Sequence, residues 1–319
     1  MLLTGLKKNQ RLSSWVKWVR DDSKQPARET REFLERCFAN IAPNQGKRFI
    51  QRIGSDGKEN VHAALYELVA HELFRRLHLK PEFHPNSFAP LTPDMAVKIE
   101  NQQFIVDVFV AHNSARTITP FPVKGLGNEI TYTVDCGDRA KKIRDTVVSK
   151  CHKYLQTEKP LIFVVFLGDH WVEMRDVQIA VYGASTEDAW LREDFPHGIT
   201  DFRQKLVSMQ VERQPDGAML PDENGQPGCP RLSAVVACEW FDTLSRSSPG
   251  KRLRCLVLHH WNPDFKISTG RFGGFGEVSW SSNASSCFAL HSTASQRTVA
   301  RFDGENNFVF RDYDAGDPW

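Results

Sequence analysis

Two aspartates stand in the run Pro93-Asp94-Met95-Ala96-Val97-Lys98-Ile99-Glu100-Asn101-Gln102-Gln103-Phe104-Ile105-Val106-Asp107-Val108-Phe109-Val110. Its Val- and Ile-rich halves flank Asn101-Gln102 and predict a β-hairpin. The shortest closure pairs Glu100 with Gln103, Lys98 with Ile105, Ala96 with Asp107 and Asp94 with Phe109. Side chains alternate along a strand, so Asp94 and Asp107 share one face as diagonal neighbours. Like charges so placed destabilise a sheet unless something binds them, and a hard divalent cation with oxygen ligands is the usual partner. The expected cofactor is Mg²⁺ or Mn²⁺, held by Asp94 and Asp107.

Two helices must frame such a pair. The first is predicted over residues 60–79 and carries two acids, Glu67 and Glu72. Glu72 has Arg75 and Arg76 within one turn and is expected to be spent on surface ion pairs. Glu67 has Ala63, Ala64, Ala70 and His71 around it, with no cation in its own helix, as a site carboxylate would. An ordinary helix-surface glutamate is the competing reading. The second helix, predicted over 138–156, carries Arg139, Lys141, Lys142, Arg144, Lys150 and Lys153, and the apolar strand 161–167 follows it. Its basic side is either a solvated face or a holder of nucleic-acid phosphates.

The order helix, hairpin, helix, strand, with a helix Glu, a Pro-Asp heading one strand and an acid within the next, resembles the PD-(D/E)XK, or restriction-endonuclease-like, nuclease superfamily over residues 60–167. Residues 232–263, including His260-Trp261-Asn262-Pro263, resemble later strands of bacterial members. The resemblance implies an α/β fold: a restriction-endonuclease-like mixed β-sheet flanked by helices, with an N-terminal helical extension and extra C-terminal strands. It implies a metal-dependent nuclease acting on DNA, an endonuclease or exonuclease. Asp94, Asp107 and Glu67 would serve as metal ligands, with Glu67 orienting the attacking water or a second ion. One departure bears on activity. The family's motif lysine, two residues after the strand acid, is Phe109 here. Lys150, in Lys150-Cys151-His152-Lys153-Tyr154, is one replacement, because this segment resembles the family's Gln-x-x-x-Tyr helix motif with Lys for Gln. Lys98, nearer the turn, is the other. With neither at the site, the chain would be a catalytically inactive nuclease fold, a nucleic-acid-binding or assembly module in a larger complex. Lys142, Lys153 and Lys98 are the candidate nucleic-acid contacts; a homodimer or a partner protein is compatible with either reading.

The rest of the chain narrows the classes. Its 319 residues carry a net charge of +2, so a nucleic-acid surface must be a local patch rather than bulk basicity. No apolar run reaches membrane-span length, which predicts no membrane partner and a cytoplasmic protein. Seven cysteines at wide spacing, with no C-x-x-C pair, argue against a disulfide framework or a zinc ribbon. A nucleophile elbow, a Walker lysine and a dinucleotide fingerprint are all missing. The expected organisation is an N-terminal helical extension over 1–45, a nuclease-like core with insertions over 46–262 and a polar extension over 263–319. In the first of these, Trp15, Trp18 and Val19 either dock a helix on the core or, with Lys7, Lys8 and Arg11, touch phosphate. Residues 111–137 form a long insertion, a substrate loop or a plain surface excursion. Loops are expected over 185–228, and an appended edge or poorly ordered tail from 279 onward. His259, His260 and Asp264 suggest a transition-metal site only weakly, because adjacent strand residues face opposite ways.

Overall fold

The computed structural model describes residues 2, 3, 6, 14–54, 58–85, 91–111, 118–122, 130–134, 137–168, 172, 174–182, 217–219, 226, 228–241, 252–260, 262–268, 270–272, 275–282, 288–292, 297–302 and 308–313. Four helices come first: α1 (Ser14–Asp21), α2 (Gln25–Ala39), α3 (Pro43–Ile53) and α4 (Lys58–Arg76). Proline in the first turn starts both α2 and α3, where a missing N–H costs nothing. Gly46 lets α3 settle on α2, since a Cβ there would come within 2.9 Å of the Phe38 ring. Helix α4 is buried almost all round from Val61 to Phe74, the mark of a central helix. Its His62, Glu67, His71 and Glu72 are therefore carried into the interior, where polar groups must find partners.

The strands are β1 (Glu82–Phe83), β2 (Met95–Ile99), β3 (Gln102–Ala111), β4 (Ile118–Pro122) and β5 (Ile130–Val134), then helix α5 (Gly137–Lys153) and β6 (Leu161–Leu167). Helix α6 (Met174–Tyr182) leads to β7 (Leu232–Phe241), β8 (Arg252–His259), β9 (Gly276–Ser282), β10 (Phe288–Ser292), β11 (Arg297–Phe302) and β12 (Phe308–Tyr313). Ten strands form one mixed sheet with the path β1-β2-β3-β6-β7-β8-β11-β12, and β9 joins β8 and carries β10. β4 and β5 pair separately, inside the predicted insertion. Strands β3, β6 and β7 run parallel, joined by crossovers through α5 and α6. A parallel strand covered on both faces needs apolar residues throughout, and all seven residues of β6 are buried.

The alternation of strand side chains divides the core in two. Val97, Val106, Val164 and Val236 face α1 to α4, whereas Ala96, Ile105, Phe163 and Val235 face α5 and α6. Val16 and Val19 of α1 are buried and Trp18 packs beside them, which is the docking arrangement. Trp15's side chain and residues 7, 8 and 11 lie outside the described residues. The architecture is thus α/β, a mixed sheet with helices on both faces. Cys37, Cys151, Cys229, Cys238 and Cys255 are free thiols, while Cys136 and Cys287 fall outside the described residues, as does most of 185–228. Among the described residues, no helix is long and apolar enough to cross a membrane.

Candidate active site

The hairpin closes two residues away from the predicted register. Glu100 and Asn101 form the turn, with φ of 50° and 68°, and the ladder runs Ile99↔Gln102 to Met95↔Val106. A two-residue turn with both φ positive matches the twist of its strands, and Asn at its second position suits it. Shifting by two keeps every side chain on its expected face. The correction therefore brings the acids closer: one step beyond Met95↔Val106, Asp94 stands directly opposite Asp107 rather than diagonal to it. The Val108 N–H donates to Asp94 Oδ2 at 2.8 Å and fixes that carboxyl across the strand pair.

Helix α5 packs on the face that Asp107 occupies, through Ile143, Val147, Cys151 and Tyr154. Lys153 and Tyr154 follow Lys150 by three and four residues, so both fall on its side of the helix end. Lys150 Nζ sits 2.9 Å from Asp107 Oδ2 and Lys153 Nζ 3.8 Å from the same oxygen. Buried Tyr154 donates its hydroxyl to that oxygen at 3.1 Å. Phe109 lies under Lys150, whose Nζ is 5.5 Å from its ring centre.

The two aspartyl carboxyls act on each other, with opposite results. Burial first, then the neighbouring Asp107, raises Asp94 well above the ordinary carboxyl range. Burial pushes Asp107 the same way, but the bond from Asp94 and the charges of Lys150 and Lys153 outweigh it and hold Asp107 low. Neighbouring like charges disfavour joint ionisation, and of the two Asp94 is the one pushed toward its protonated form. Burial and then the Asp107 charge raise Tyr154, so its hydroxyl stays a donor.

Glu67 approaches from the other helix layer and is already taken. Arg52 of α3 grips it with two parallel bonds, Nη1 to Oε2 and Nη2 to Oε1, the second at 2.7 Å. Its charge still reaches Asp94, whose carboxyl it helps to raise. Glu72 is not the surface residue expected. It is 1% exposed, and Arg75, Arg76 and Asn40 hold it. A helix buried all round leaves it no surface.

No family model matches this sequence, and no curated protein or solved structure matches it either.

The remaining candidates separate. Lys98 is exposed on β2 next to the turn, so of the two lysines Lys150 is the one at Asp107. Lys142 lines a cavity of about 230 Å³ beside Phe109, together with Arg139 and Thr146. His259 and His260 diverge as strand alternation requires: His259 Nε2 meets Glu277 Oε2 at 2.9 Å, while His260 Nε2 donates to the Gly228 carbonyl at 2.6 Å and Asp264 is exposed. Among the described residues, no three His, Cys, Asp or Glu side chains gather as a metal cluster. The donor set present fits a divalent cation through two carboxylates. Positive charge is favoured between the two carboxyls, and a divalent cation bound there would be held by Asp94 and Asp107. Glu67, with both oxygens on Arg52, does not fit as a third ligand in this arrangement.

Sequence reasoning missed Arg52 because it missed α3. Pro43 in the first turn, Phe49 and Ile53 four residues apart, and Gly54 after the end were the available signals. It also missed His84, which flanks Asp94 on β1's side. The His84 N–H donates to the Asp94 carbonyl at 3.1 Å, and His84 Nδ1 donates to the Pro93 carbonyl at 3.1 Å.

Proposed function

We propose that this chain is a metal-dependent nuclease of the PD-(D/E)XK type, hydrolysing phosphodiester bonds in DNA. The observation that carries this reading is the 2.9 Å contact of Lys150 with Asp107 across from Asp94, a lysine supplied by a helix where Phe109 fills the motif position. The order α4, β2-β3 hairpin, α5, β6 is the order such a fold requires. Asp94 and Asp107 would hold Mg²⁺ or Mn²⁺, which when bound supplies Lewis-acid polarisation of the phosphodiester. Asp107 orients the Lys150 ammonium, and Tyr154 fixes the Asp107 oxygen that does so. The ammonium is a compact charge that can hold the attacking water and stabilise it as hydroxide when its proton leaves. Lys153 and Lys142, on the same helix, are the nearest cations for the flanking phosphates.

Incubating the full chain with duplex and single-stranded DNA and either metal tests this. Cleavage is expected, and Lys150→Ala should slow it by roughly 10²–10³ with the fold retained by circular dichroism, whereas Lys98→Ala should change little. Phe109→Lys in the Lys150→Ala background should return part of the rate. A wild-type chain that cuts no DNA with either metal sinks the catalytic reading.

One observation favours the second reading, an inactive nuclease fold serving as a binding or assembly module. Arg52 covers Glu67, and Lys150 and Lys153 meet Asp107, so these acids are balanced within the chain itself. DNA binding that is unchanged by EDTA, with no cleavage, selects it.

A further inference from the structure

The cavity of about 230 Å³ beside Phe109 continues the Asp107–Lys150 site along two elements at once. On β3, Phe109 follows Asp107 by two residues and therefore shares its face. On α5, Thr146 and Lys142 precede Lys150 by four and eight residues, along the same side of the helix. Two strand residues and four helical residues both advance by roughly 6 Å, so the cavity begins about that far from the contact of Lys150 with Asp107. Phe109 joins the two places: its ring centre lies 5.5 Å from Lys150 Nζ, and the same residue lines the cavity. Phe163 meets the ring edge-on at 6.4 Å and steadies it.

The lining is divided by chemistry. Phe109, Ile143 and Val172 are apolar, whereas Arg139, Lys142 and Thr146 bring two cations and a hydroxyl. Among the described residues that line it there is no carboxylate. Arg139 is buried and meets Asp176 of α6 at 3.8 Å, so its charge is matched inside the chain. Lys142 is half-buried and carries its charge on the α5 wall. Thr146 Oγ1 donates to the Lys142 carbonyl at 2.9 Å, which leaves the hydroxyl oxygen as an acceptor. An aromatic and aliphatic floor, an acceptor and a cation together suit a flat, amine-bearing ring joined to a phosphate, which is a nucleotide. The volume falls below the roughly 300–1,000 Å³ of an ordinary ligand pocket and suits one such unit rather than a base pair.

We propose that this cavity receives one unpaired nucleotide of the DNA strand, its base on Phe109, Ile143 and Val172 and its phosphate at Lys142, which directs the site to single strands and frayed ends. This rests on the nuclease reading and names its substrate form. A base inside a duplex is paired and stacked, so it enters such a cavity only after leaving the stack, at a cost that an already unpaired base avoids. Stacking on an aromatic ring tolerates every base, so the preference is for strand form and not for sequence.

Affinity of the full chain in EDTA, read by fluorescence anisotropy, tests this with three labelled ligands of one length: a single-stranded oligonucleotide, a blunt duplex and an oligomer of abasic units. The single strand should bind roughly tenfold more tightly than the abasic oligomer, about the worth of one stacked base. Phe109→Leu, which keeps an apolar floor without the aromatic face, should cut that advantage to about twofold or less and leave duplex affinity unchanged. Lys142→Gln should weaken single-strand binding roughly fivefold and lower its salt slope by about one. An abasic oligomer that binds as well as the single strand, a Phe109→Leu loss shared by the duplex, or full affinity in Lys142→Gln overturns the proposal. Should Phe109→Leu not fold by circular dichroism, the abasic comparison on the wild-type chain decides by itself. Because binding is read without metal, a chain that meets these results and cuts no DNA with Mg²⁺ or Mn²⁺ supports the cavity and overturns the nuclease reading. A chain that cuts DNA but binds the abasic oligomer as well as the single strand overturns the cavity alone.

Discussion

Asp107 and Glu67 are both nearly sealed carboxylates met by cations, yet they are held in opposite ways. Glu67 faces one arginine that fills both its oxygens, a closed pair between α3 and α4. Asp107 faces two lysines and a tyrosine on one oxygen and, beside them, a second acid whose ionisation burial and Asp107 disfavour. The first arrangement is complete. The second sets two neighbouring acids against a shared group of cations, the arrangement on which the proposed chemistry rests. A closed pair and a strained pair on two sides of one sheet separate a structural contact from a candidate reaction centre.

The largest expected effect breaks that comparison directly. Glu67→Ala removes the two parallel bonds that Arg52 makes to it and should cost about 3 kcal/mol in urea unfolding. Asp107→Asn should change stability by less than about 1 kcal/mol, because Asp94 can then ionise against Lys150. Equal losses at the two positions would show that Asp107 is also a closed pair.

The next effect belongs to the α4 side. Burial holds the His71 imidazole down, to about 4 from an ordinary 6.5. Between these values the unfolded chain binds the extra proton, so stability rises with pH there and is lost as pH falls from 6.5 toward 4. The loss amounts to about 3 kcal/mol. His71→Leu should flatten the difference between urea midpoints at pH 7 and pH 4.5, and a difference that persists in full assigns the acid sensitivity elsewhere.

The smallest effect concerns the strained pair. Mn²⁺ at ten times its Kd should stabilise the chain by about 1.4 kcal/mol, roughly 2–4 °C in Tm, and Asp107→Asn should abolish the shift. An unchanged Tm at millimolar Mn²⁺ would mean that Asp94 and Asp107 hold no metal.

Much of this arrangement was legible in the chain. The apolar run of β6 could only be a strand buried on both faces, and its predicted and observed limits coincide at Leu161–Leu167. Strand alternation placed Asp94 and Asp107 on one face despite the wrong register, because a slip of two preserves facing. The three-residue spacing of Lys150 and Lys153, with Tyr154 beside them, set them on one side of α5.

What sequence spacing cannot carry is contact between elements. The turn at Glu100-Asn101 had to be chosen by backbone twist, and that choice set Asp94 opposite Asp107. Glu67 and Glu72, five residues apart on one helix, looked different because only Glu72 has arginines in its own turns. Packing sealed both, and gave Glu67 an arginine from another helix. Local spacing determined which residues share a face. Only the folding of α3 and α5 around the sheet decided which cation each acid meets, because a charge buried by packing must be paired by whatever packing brings.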